Sequence, residues 1–228
     1  SHAANAFYTS NFNRSLIVTV DGGGWENDSL RTGFAISEGV GNKINQIKIL
    51  PISEVNLGGI WHDSTKYVFG LSVSYPKGDQ AGTVMAMATL GEAKYTDMFS
   101  YFDNNLSELI RLAKLSEQEK FNVAASLQQY TEATFYSYIS KYINESDHES
   151  ICFSGGVSLN CVMMGKVKKW FPKIKNIFCD PVPYDAGLSL GSARYLWHHV
   201  LGNPRIKNNI KNMSPYLGKI YTRKDVKD

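Results

Sequence analysis

From Ser15 to Val20 the chain is a run of β-branched and apolar residues that stops at Asp21-Gly22-Gly23-Gly24. Such a run predicts a buried strand feeding a glycine turn. Thr32–Glu38 and Ile44–Ile52 read as two further strands joined by the hairpin-like Gly39-Val40-Gly41-Asn42, which gives an antiparallel meander. Helical patterning follows from Leu57 to Gly91 with a break at residues 75–79, and Asp79 is the expected N-cap of the helix carrying Val84, Met85 and Met87. Ser116 and Glu119 are spaced as a capping box opening the longest helix, Glu117–Ile143, whose apolar stripe includes Phe121, Ala124, Leu127, Phe135 and Ile139.

Thereafter strands and helices alternate. Ser150–Phe153 predicts a strand, Leu159–Trp170 a helix closed by Pro172, Ile174–Cys179 a strand and Asp185–Val200 a last helix with Gly202 beyond its end. That order makes an α/β protein with a mixed sheet flanked by helices, the last part a βαβ unit. It matches the ribonuclease-H-like subdomain that actin-like ATPases contain twice. Residues 1–202 form this subdomain, and residues 203–228 form a polar tail expected to lead to another domain.

Composition narrows the function little. With 228 residues and 43% hydrophobic content, one sizeable core, or two small ones sharing a cleft, can form. A net charge of +3 does not argue for nucleic acid, and the basic residues from Lys207 onward read as a solvated tail. Cys152, Cys161 and Cys179 show neither CxxC spacing nor an even-numbered framework, and two lie in apolar runs. A reducing, cytoplasmic compartment is expected. No stretch has the roughly 20 apolar residues of a membrane span. The chain opens on Ser1 rather than methionine, which suggests a piece of a longer protein.

Three glycine-marked strand ends carry the candidate chemistry. Gly22, Gly23 and Gly24 remove every Cβ, so backbone N–H groups can approach a phosphate, and Asp21 can hold a divalent cation. The plainer alternative is an Asx turn in which Asp21 caps its own backbone. Ser154-Gly155-Gly156-Val157 precedes a helix whose first turn offers free donors and the positive end of its dipole, although a tight turn without a ligand fits equally. Asp185, after Asp180-Pro181-Val182-Pro183-Tyr184, is either a helix N-cap or a second carboxylate at a ligand-binding strand end. His2 opens an Ala-rich helix start; an imidazole with two carboxylates suits iron, manganese or zinc. No general base stands out. His62 and His148 are candidates by residue type alone, Gln128 interrupts the apolar stripe of the long helix, and Cys161 has no partner base.

Taken together these motifs resemble the NodU/CmcH-type O-carbamoyltransferases. Ser1–Ser10 is similar to the end of that family's HHxxHAAxAFxxS motif, and Asp21–Gly24 to its DGxG turn. Val84–Gly91 resembles GKVMGLAxYG, Ser154–Cys161 resembles GGVALNC, Pro181–Ala193 resembles PxxxDxGxxLGAA, and Ser214–Gly218 resembles SPxLG. The resemblance implies a metal, most often iron, held by His2, Asp21 and Asp185 together with a histidine upstream of Ser1. It also implies an adenosine lined by Gly155 and Gly156, with Val157 and Asn160 of the same motif beside it. Carbamoyl phosphate and ATP would yield carbamoyl-adenylate in a YrdC-like domain, and the carbamoyl group would pass to a hydroxyl of a sugar, antibiotic or other small molecule. An upstream subdomain of the actin-like pair and the YrdC-like domain are then expected partners within the same protein. Thr83 and Ala86 depart from the pattern where it has lysine and glycine. The rival readings are a tRNA-modifying threonylcarbamoyl transferase, a sugar kinase, and a nucleotide-binding module without turnover.

Overall fold

Strand β1 (Arg14–Asn27) is the spine of a five-stranded sheet ordered β3-β2-β1-β4-β5, in a computed structural model that describes residues 1–72, 79–205 and 207. β1 pairs antiparallel with β2 (Leu30–Val40), which pairs antiparallel with β3 (Lys43–Pro51). On its other side β1 runs parallel to β4 (Ser150–Ser154), and β4 runs parallel to β5 (Asn176–Cys179). The expected meander followed by a parallel unit is therefore present, and the fold is ribonuclease-H-like. The motif Ser214–Gly218 and most of the expected tail lie outside the described residues.

Alternation along β1 sorts its side chains onto two faces. Leu16, Val18 and Val20 enter a core with Phe34, Ile36, Phe135, Ile139 and Phe153. Ile17 faces the other way and packs with Cys152 and Phe178 against Ala4 and Phe7 of α1 (His2–Thr9). A further core, built mostly from helices, joins Trp61, Phe99, Leu109, Val123, Ala124 and Leu127. It draws on α2 (Leu57–Asp63), α3 (Ala81–Ala88), α4 (Phe102–Leu115) and α5 (Glu117–Glu145). α5 joins the two larger cores, and two side chains near its middle tie down other elements: Thr131 Oγ1 accepts from Trp61 Nε1 at 2.8 Å, and Gln128 pairs with Asn160. α6 (Cys161–Trp170) connects β4 to β5, and α7 (Leu188–Arg194) continues into a π-helical turn, Tyr195–Val200.

Several local expectations change. The glycines after Asp21 do not end β1. The strand runs on through them to Asn27, with a register shift between Val20 and Gly24 that absorbs the irregularity as a bulge. Asp79 is not the N-cap of α3; Gln80 holds that position without a side-chain bond, because the Asp79 carboxylate is drawn to Ser72 and His62. Only half of the capping box forms. Ser116 Oγ accepts from Glu119 N–H, while the Glu119 carboxylate takes the Tyr95 hydroxyl instead. Asp185 makes no side-chain cap; a single 3-10 turn (Asp185–Gly187) leads into α7. Cys179 is exposed, whereas Cys152 is buried.

Candidate metal and nucleotide site

α1 forms because Ala3, Ala4 and Ala6 favour helix and Phe7 buries against the sheet. Its C-terminal end is held by Arg205. That guanidinium donates to the carbonyls of Phe7, Ser10 and Phe12 and lies 4.4 Å from the Phe7 ring centre, a cation meeting the negative end of a helix. Sequence reading assigned this stretch to an irregular tail, and nothing local in it announced the anchor.

Held this way, α1 presents His2 between two carboxylates. His2 Nε2 lies 2.9 Å from Asp21 Oδ2 and 3.5 Å from Asp185 Oδ1. One ligand atom from each of the three residues falls within 4.8 Å of the others. They come from α1, the middle of β1 and the turn before α7, so the fold brings together residues 183 positions apart in the chain. Two bonds of about 2.1 Å to one ion at tetrahedral or octahedral angles put donor atoms roughly 3.0–3.4 Å apart. The two His2 distances, 2.9 and 3.5 Å, lie close to that spacing.

Asp21 is held on all sides. Burial alone pushes its pKa up. Hydrogen bonds from His2, from Gly156 N–H to Oδ2 at 3.0 Å, and from Gly22 N–H to Oδ1 at 2.6 Å outweigh burial and hold the carboxyl below its usual range. The anion that these two glycine amides meet is thus the protein's own carboxylate. For Gly22 this sets the Asx-type contact beside the reading in which its N–H approaches a phosphate.

Close approach between backbones builds the rest. A Cβ on Gly58, at the start of α2, would lie 2.3 Å from Gly22 N, so α2 rests directly on the Asp21–Gly22 peptide. Gly155, with φ +91°, lets β1 pass; a Cβ there would sit 2.2 Å from Val20 O. Gly155 lines neither of the cavities beside the cluster. Its neighbour does: a cavity of about 650 Å³ is lined by Gly22, Gly156, Val157, Leu159 and Asn160 together with Gly58, Trp61 and His62 of α2 and Asp79, Ala81 and Met85. Gly23 and Gly24 face a second cavity of about 570 Å³ with Trp25, Glu26 and Tyr195. Asp21 and Asp185 line both, so the cluster forms the wall between them.

Asn160 caps α6. Its Oδ1 accepts from Met163 N–H at 3.0 Å, and its amide pairs with that of Gln128. Sequence reasoning missed Gly58, Gly59 and Trp61, which no periodic pattern singles out; it named His62 by residue type alone and read Asp79 as an N-cap rather than a site residue. Among the described residues no helix is long and apolar enough to cross a membrane.

Residues 1–194 match the family described as "Carbamoyltransferase N-terminus". The chain is 28% identical to an uncharacterised protein of Synechocystis over 99% of its length, covering 40% of that protein. It is 28% identical to nodulation protein NolNO of Sinorhizobium fredii over 85% of its length, covering 29% of that protein. With nodulation protein NolO of Bradyrhizobium diazoefficiens it shares 27% identity over 95% of its length, or 41% of that protein. It therefore spans less than half the length of these relatives. HypF from T. kodakarensis has a similar fold at 12% identity, with a TM-score of 0.52 over 88% of this chain and 36% of that one. With a matching family model over most of its length and the His2–Asp21–Asp185 cluster assembled in its fold, the chain belongs to the carbamoyltransferase family.

Proposed function

We propose that the protein transfers a carbamoyl group from carbamoyl phosphate, by way of ATP-dependent carbamoyl-adenylate, to a hydroxyl of a small-molecule acceptor such as a sugar or antibiotic. The observation that carries this reading is the convergence of His2, Asp21 and Asp185 beside a glycine-walled cavity of about 650 Å³, a volume suited to a nucleotide-sized ligand. His2, Asp21 and Asp185 would hold a divalent metal, with iron our choice for a mixed imidazole and carboxylate set. When bound, the metal supplies a Lewis acid that polarises a phosphoryl or carbamoyl oxygen.

The chain's own residues do the remaining work. Gly22 and Gly156 keep Asp21 ionised and aimed at His2. Val157 and Leu159 offer apolar surface to a base or ribose, and Trp61 and Met85 add further apolar lining. An upstream subdomain and a YrdC-like domain complete the enzyme in this proposal, which is placed in the cytoplasm.

The test uses the full-length protein with labelled carbamoyl phosphate, ATP and a panel of hydroxylated acceptors, alongside metal analysis. We expect ATP-dependent transfer and one metal equivalent. Asp185→Ala should lose both while unfolding at nearly the wild-type temperature, since its side chain is 80% exposed. Wild-type turnover in that variant rejects the assignment.

A further inference from the structure

We propose that His62 is the general base that takes the proton from the acceptor hydroxyl, with Asp79 as its positioning residue; this rests on the carbamoyl-transfer reading above. His62 stands on the wall of the 650 Å³ cavity that Asp21, Asp185 and Gly156 also line. It lies four residues after Gly58 on α2, so the two share a face about 6 Å apart along the helix. Gly58 in turn abuts the Asp21–Gly22 peptide. His62 therefore stands about one helical turn from the Asp21–Gly22 peptide and lines the same open space as Asp21 and Asp185.

Its orientation is fixed. His62 Nδ1 lies 2.5 Å from Asp79 Oδ2, and the other oxygen of Asp79 accepts from Ser72 Oγ. The Ser72 bond, set against partial burial and aided by His62, keeps the Asp79 carboxyl below its usual range, so Asp79 is an anion and only accepts. Nδ1 must then carry the hydrogen. In the neutral ring the lone pair falls on Nε2, the nitrogen left to meet a ligand. A base oriented by a third group in this way is the arrangement that activates hydroxyl nucleophiles elsewhere. Among the described residues, the charged groups around His62 are Asp63 and Lys66 on its own helical stretch, Asp79 across the Ser72–Asp79 bridge, and Asp21 and Asp185 on the cavity wall, while α3 contributes Ala81, Gly82 and Met85 to that wall.

In the step, the acceptor O–H proton passes to His62 Nε2 as its oxygen bonds to the carbamoyl carbon of the mixed carbamoyl–phosphoric anhydride. The carbon–oxygen bond to the phosphoryl group breaks, and its electron pair leaves on the phosphate of the nucleoside monophosphate. The imidazolium formed is paired with Asp79 until the proton reaches solvent. This supplies the base that the sequence did not reveal.

The test is the pH–rate profile of carbamoyl transfer by the full-length protein. His62→Gln should lower kcat/KM by about 100-fold or more, the usual scale for losing a general base, and erase the acid limb of the profile. Metal content and unfolding midpoint should stay at wild-type values, because the side chain is 53% exposed. In His62→Ala, added imidazole should restore part of the rate. Asp79→Asn should lower kcat with little change in KM, since the ring loses the acceptor that holds Nδ1. If the wild type transfers carbamoyl groups and His62→Gln keeps both rate and acid limb, this inference is overturned while the proposed function stands. If the wild type transfers nothing to any acceptor, the proposed function falls and takes the base with it.

Discussion

Replacing Gly155 with alanine tests how the site is built, because one missing methyl group lets β1 and the turn after β4 touch. Gly155 has φ +91° and ψ 152°, a region open in practice only to glycine and costing a residue with a Cβ about 1–3 kcal/mol. The new Cβ would also meet Val20 O at 2.2 Å, Val20 C at 2.5 Å and Val20 N at 2.8 Å. These are backbone atoms of a central strand, so relief requires moving the strand, an overpacking cost of roughly 1–3 kcal/mol. The sum is about 2–6 kcal/mol, and at about 2–4 °C per kcal/mol for a unit of this size the melting temperature should fall by roughly 10 °C. Val20 precedes Asp21, and Gly156 follows Gly155, so the bond from Gly156 N–H to Asp21 should lengthen and metal affinity should drop as well. Gly165→Ala is the control: it lies inside α6 with nothing within 4 Å of its Cβ position, and should gain about 0.5–1 kcal/mol. Calorimetry and metal titration read both variants. A Gly155→Ala protein melting within 2 °C of wild type would refute the reasoning.

Asn160→Ala removes both the cap of α6 and the amide pair with buried Gln128; a loss of about 2–3 kcal/mol in denaturant unfolding is expected, and a loss below 0.5 kcal/mol would show that the pair is dispensable. His148 is buried, and burial, assisted by Arg14, pushes its pKa down despite Glu38 at 2.9 Å. The folded form therefore binds this proton less readily than the unfolded chain. Its stabilising contribution is complete above the unfolded pKa of about 6.5 and declines as pH falls below that value. The urea midpoint should drop between pH 7.5 and pH 5, and His148→Gln should flatten the change; an equal drop in the variant excludes His148 as its source. In thiol labelling at pH 7.5, exposed Cys161 should react first and Cys152 last, because burial pushes the Cys152 thiol up to about 11. Early modification of Cys152, followed by peptide mapping, would contradict the packing of α1 on the sheet.

The sheet was legible in the sequence because period-2 burial writes itself into composition, as Leu16, Val18 and Val20 show against Ile17. The long helix was legible for the same reason at its own period. The three residues proposed to hold a metal were picked out through motif likeness, and the fold places them adjacent. What stayed hidden depends on distant backbone. Nothing near Asp79 says that it will abandon the N-cap of α3 for His62, seventeen residues earlier. Gly58 looks like a poor helix start until Asp21 is seen beneath it. Arg205 sits in a polar stretch, and its bonds to Phe7 and Ser10 span more than 190 residues.

Two residues lining the 650 Å³ cavity hang from a single turn of α5. Asn160 is fastened to Gln128, and Trp61 is fastened to Thr131 three residues on. Their separation is thus gauged by one rigid rod rather than by two independently breathing jaws. Moving Asn160 away from Trp61 means bending that rod or letting go of one fastening, so a bulkier acceptor is better accommodated by shortening Met85, which lines the cavity without either fastening.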